Sequence, residues 1–164
     1  MKTNFRSIWK IIPVLLITAL FTTVGYARTY HGLKGDLTGE VKMKVGAEIM
    51  ISAEHLLMSS LENYGLTKDT VIAKGSAMLT EGEKMIIDGK AMMTHAATRI
   101  KGKDVMMQGG TRMMEGKDFI MNELKNERLQ MASVLKADDQ ELSNSEGLML
   151  DGKNLMMDGE RNFM

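Results

Sequence analysis

The side chains with chemistry to offer are, above all, thioethers. The chain has 164 residues and 18 of them are Met, with three His and no Cys. The Met residues come in short apolar clusters: Met85-Ile86-Ile87, Met92-Met93, Val105-Met106-Met107, Met113-Met114, Phe119-Ile120-Met121 and Leu155-Met156-Met157. A thioether is soft and polarizable. It fills irregular gaps, suits a groove for lipid tails of variable shape, and is a ligand type that selects Cu(I). Copper-handling sequences usually interleave Met with His. Here His31, His55 and His95 are scattered, and only His95 lies beside such a cluster, close to Met92.

Catalytic chemistry finds little footing. There is no nucleophile elbow, zinc-binding His pair, phosphate loop or dinucleotide fingerprint. Acids such as Asp88, Glu115 and Asp151 sit directly before Gly, where turn formation accounts for them. No catalytic residue, metal ligand or cofactor is expected, and the chain reads as a non-enzyme. Basic and acidic residues number 21 each, which gives no electrostatic footprint for a nucleic-acid partner.

Residues 1–27 read as a secretory leader. Lys2, Arg6 and Lys10 precede an apolar run over 11–24, and Gly25-Tyr26-Ala27 supplies small residues for cleavage. The run is broken by Pro13 and is short for a spanning helix, so an uncleaved anchor is the minor alternative. Export to the periplasm follows, with residues 28–164 as one domain. Only Tyr30, Tyr64, Phe119 and Phe163 then remain as aromatics, and 18 basic residues face 21 acidic ones.

Small residues recur every seven positions. One series is Gly32, Gly39, Gly46 and Ala53; another is Gly75, Gly82, Gly89 and Ala96. Gly102, Gly109 and Gly116 follow, then Gly152 and Gly159. A helical heptad with this pattern would carry a Gly every two turns, each costing about 1 kcal/mol relative to Ala, and the adjacent apolar pairs do not fit a and d seam positions. A strand of about five residues plus a two-residue turn also gives seven, and Asp-Gly is a strong hairpin signal. Val41-Lys42-Met43-Lys44-Val45 alternates as a half-buried strand would. The expected fold is all-β: an elongated antiparallel sheet, closed or open, with longer loops at 59–70 and 136–147.

The segments GEVKMKVG (39–46), IMISAE (49–54), AKGSAML (73–79) and 116–131 are similar to the strand–turn–strand units of the LptA/OstA-like periplasmic lipopolysaccharide-transport family. That resemblance, over roughly residues 35–160, implies a β-jelly roll or folded-over β-sheet. Its interior would bind lipopolysaccharide acyl chains or a similar amphipathic lipid in outer-membrane biogenesis. It also implies LptC-like inner-membrane and LptD-like outer-membrane partners and head-to-tail self-association. With Lys84, Arg112 and Asp118 outward, strand alternation places Met85, Ile87, Met113, Phe119 and Met121 inward, alongside Val41, Met43 and Val45. These eight are the expected lipid-binding residues, with Ile86, Met114 and Ile120 on the outer face. Lys42 and Lys44 are candidates for lipid phosphates. The alternative is a Met-rich periplasmic Cu(I)-binding or stress protein.

Overall fold

Four long helices account for nearly all of residues 37–130 and 139–163, which the computed structural model describes. They are α1 (Gly39–Asn63), α2 (Thr70–Met92), α3 (Arg99–Gln130) and α4 (Asp139–Arg161). No strand occurs among the described residues. The all-β expectation, the jelly roll and the LptA/OstA-like resemblance are therefore overturned. The leader, its cleavage site and His31 lie outside the described residues. None of the described helices is long and apolar enough to cross a membrane.

Local signals start and stop the helices. Thr38 caps α1, accepting from the Val41 amide at 3.4 Å. Asp69 caps α2, its Oδ1 accepting from Val71 and Ile72 at 2.7 and 3.0 Å. Gly65 adopts φ +69° just past α1, a left-handed stop that favours glycine. The expected loop at 59–70 thus shrinks to the turn over 64–69. The expected loop at 136–147 is, from residue 139 onward, the opening of α4. Between α2 and α3, the Thr98 hydroxyl donates to the Met92 carbonyl at 2.7 Å and closes the turn.

The seven-residue beat belongs to helix pairs. Gly75, Gly82 and Gly89 of α2 oppose Gly116, Gly109 and Gly102 of α3, and Gly39 and Gly46 of α1 oppose Gly159 and Gly152 of α4. A Cβ built on Gly109 would lie 2.6 Å from the Gly82 carbonyl oxygen, and one on Gly82 would lie 2.7 Å from that of Gly109. Gly89 and Gly102 stand in the same reciprocal relation at 2.6 Å. Nothing larger than hydrogen fits there, so each pair runs antiparallel with backbone against backbone.

A large apolar residue follows four positions after each seam glycine of α2 and α3: Leu79 and Ile86 in α2 and Met93 at its C-cap, Met106, Met113 and Ile120 in α3. Met43 and Met50 in α1 and Met156 in α4 repeat the rule. All nine are buried, eight of them with no exposed surface. The argument against a helical heptad fails because helix propensity is a local term and tertiary packing overrides it. A seam alternating none and large at i and i+4 needs no a/d pattern. An acid before Gly is one step outside the seam, so Glu81, Asp88, Glu115 and Asp151 are exposed mid-helix residues and form no turns.

The two glycine-seamed pairs face each other to complete an up-down-up-down four-helix bundle. Its other two faces are wider. Between α3 and α4, Lys103 pairs with Glu160 at 2.9 Å and Lys117 with Glu146 at 3.3 Å. Between these levels, Lys153 reaches across Gly110 to the Thr111 hydroxyl at 2.7 Å. Between α1 and α2, Lys90 pairs with Glu48, and one heptad further on His55 lies 3.4 Å from Glu83.

Candidate functional site

The eight residues expected to line a lipid trough share no surface in the bundle. Met43 and Met113 are wholly enclosed and Met121 is buried. Val41 and Ile87 face outward, at 39% and 51% exposure. Val45, Met85 and Phe119 are half-buried at helix flanks. Met85 borders a shallow groove shared with Met107, Gln108 and Arg112 of α3, and the Phe119 ring lies under the Lys74 ammonium at 4.9 Å. Ile86 and Ile120, expected outside, are fully buried. A strand turns successive side chains by half a revolution and a helix by about 100°, so the inward–outward alternation does not carry over.

The cations considered for lipid phosphates are engaged inside the bundle. Lys42 pairs with Asp158 at 2.8 Å and Lys44 with Glu40 at 2.5 Å. The Lys44 hydrogen bond is the largest influence on Glu40, and together with Arg99 it holds that carboxyl below its usual range despite partial burial. His95 is exposed in the α2–α3 turn.

On the wide α3–α4 face the charges are answered. Lys117 is pushed down by burial, yet Asp118 at 2.8 Å and Glu146 outweigh that and leave it above its usual value. Lys153, by contrast, is lowered by burial, with Glu160 opposing.

The α1–α2 face is different. In α1 the seven-residue series Glu40, Ala47, Glu54, Leu61 sets Glu54 between two buried apolar residues and buries it with them. The Glu54 side chain is 5% exposed, and its Oε2 is buried with no hydrogen-bond partner. That oxygen lies 3.4 Å from His55 Nε2, which in turn lies 3.4 Å from Glu83 Oε1 of α2. Burial pushes the Glu54 carboxyl up, Glu83 pushes it further, and His55 offsets part of the rise. Two carboxylates and an imidazole thus converge, their ligand atoms all within 4.8 Å of one another. Such a triad can share a proton or hold a cation.

Sequence reasoning passed over Glu54 and Glu83 and treated His55 as one scattered His among three. The signal was present as an acid between Ala47 and Leu61 in a seven-residue row, visible only once the row is helical. No protein-family model, curated protein or solved structure matches this chain.

Proposed function

We propose that the chain is a non-catalytic scaffold of the cell envelope, a stiff helical bundle that holds its shape and presents a charged outer surface. The observation that supports this reading most is the reciprocal approach of glycines to carbonyls along both seams, as at Gly82 and Gly109. Of the ten seam glycines all but Gly39, which opens α1, are helix-interior and sacrifice about 1 kcal/mol each in helix propensity. Only close backbone packing, with dispersion and Cα–H···O contacts along the seam, offsets that loss. The gain is in rigidity and slow unfolding, properties useful to a protein outside the reach of cytoplasmic chaperones. An envelope location rests on the leader read in residues 1–27.

The lipid-carrier reading lost its premise with the strands. Cu(I) capture by the Met interior would require the bundle to open, since Met43, Met50, Met106, Met113, Met149 and Met156 have no exposed surface. Native-state hydrogen exchange on the full chain tests the scaffold. Amides flanking Gly82 and Gly109 are expected to exchange only through global unfolding, and neither lipopolysaccharide nor anaerobic Cu(I) should change them. Seam amides that open locally, or that either ligand shifts, would refute the proposal.

A further inference from the structure

The α1–α2 face holds a carboxylate whose burial nothing in the fold explains. Glu54 is 5% exposed, its Oε2 accepts no hydrogen bond, and the group facing it from α2 is a second carboxylate, Glu83. Leaving a buried acceptor unsatisfied costs about 1–3 kcal/mol, more when it is charged. On the opposite wide face, between α3 and α4, every buried charge described has a partner of opposite sign or a hydroxyl. Its neighbours one heptad away in the row, Ala47 and Leu61, are buried and apolar.

The spacing of these groups suits a small cation. A tetrahedral ion with bonds of about 2.0–2.1 Å to nitrogen and oxygen has ligand–ligand edges of about 3.4 Å. Two of the three edges, from His55 Nε2 to Glu54 Oε2 and to Glu83 Oε1, are 3.4 Å, and the third, between the carboxylates, is within 4.8 Å. Two carboxylates with a neutral imidazole carry two negative charges, which a divalent cation neutralises. The imidazole favours a borderline ion over Ca2+ or Mg2+, and the lack of thioether or thiolate in the set disfavours Cu(I). His55 is 66% exposed, leaving the fourth position to water and the site open to entry from solvent.

We propose that Glu54, His55 and Glu83 form a binding site for a divalent transition-metal ion of the Zn2+ class, bridging α1 and α2. The site is independent of the scaffold reading. The test is calorimetric titration of the full chain with Zn2+ at neutral pH, with far-UV circular dichroism confirming that each variant is folded. One equivalent is expected to bind. Glu83→Gln and His55→Ala, both at partly exposed positions, should each weaken it by at least about tenfold. His95→Ala and Glu81→Gln should leave it unchanged. No binding to the parent chain, or binding that survives both Glu83→Gln and His55→Ala, would overturn the assignment.

Discussion

Gly109 and Gly110 are neighbours in α3, yet adding a methyl group to each should move stability in opposite directions. A Cβ on Gly109 meets the Gly82 carbonyl oxygen at 2.6 Å, the Ile86 nitrogen at 2.8 Å and Met85 Cβ at 2.9 Å. Ordinary contact begins at 3.4 Å, so the α2–α3 seam must open by about 0.8 Å, a gap that forfeits a quarter to a half of the dispersion attraction along its lining. Overpacking of this kind costs about 1–3 kcal/mol, against a propensity gain of about 1 kcal/mol. Because the obstacle is backbone and the same seam is tight at Gly75–Gly116 and Gly89–Gly102, relaxation is poor. Gly109→Ala should lose about 1–2 kcal/mol net. The atoms nearest a Cβ on Gly110 are Met156 Cε at 3.3 Å and the Met156 and Met50 sulfurs at 3.4 Å. Those are flexible ends that yield, so Gly110→Ala should be neutral or stabilising by up to about 1 kcal/mol. Gly147 has nothing within 4 Å of such a Cβ, and Gly147→Ala should gain the full propensity term of about 1 kcal/mol. Urea titrations with unchanged slope, and melting temperatures that move by roughly 3–5 °C per kcal/mol, read the three variants side by side. Gly109→Ala as stabilising as Gly147→Ala would refute the backbone-seam account.

Three further outcomes are expected. Far-UV circular dichroism of the full chain should show a predominantly helical spectrum, and a β-type spectrum would contradict the bundle. Asp69→Ala removes acceptance from two α2 amides and should lower stability by about 1 kcal/mol, with Asp69→Asn retaining most of it; equal loss in both variants would show that the cap is not the cause. Glu54 has its folded-state acidity shifted so that the proton is held more tightly than in the unfolded chain. Its favourable contribution is then complete below the ordinary value of 4.5 and disappears as pH rises through the raised folded value. In metal-free buffer, Glu54→Gln should therefore stabilise the bundle at neutral pH and lose that advantage in acid; a constant difference across pH would count against the burial argument.

The period of seven, the series of small residues and the apolar clusters were all legible, and each proved to be a real feature of the packing. Sequence alone assigns the period to strand plus turn, whereas in the structure it spans two helical turns. Asp88-Gly89 and Glu115-Gly116 satisfy hairpin chemistry locally, and Val41–Val45 alternates in hydropathy. The buried position of Lys42, in salt-bridge contact with Asp158 more than a hundred residues away, is what breaks the alternation. Glycine's unfavourable helix propensity is a property of a helix alone. The compensating contact, Gly82 against Gly109, exists only when two distant segments meet. The candidate metal residues were hidden for the same reason, since Glu54 and Glu83 are neighbours only across α1 and α2.

A ladder of identical rungs is degenerate: sliding α3 past α4, or α1 past α2, by one heptad would keep the large side chains in equivalent layers. Glycines cannot choose among these alignments, but the ion pairs can. On the α3–α4 face the native alignment sets Lys103 beside Glu160 and Lys117 beside Glu146. Displacement by seven residues one way brings Lys117 level with Lys153, and the other way brings Lys103 level with Lys153. On the α1–α2 face, the same slips trade the Glu48–Lys90 match for Glu62 against Glu83 or Glu48 against Glu83. Each one-heptad slip therefore sets like charges together at the bundle's margins. In a sequence this repetitive, the few non-repeating side chains are what discriminate the native register from its nearest neighbours.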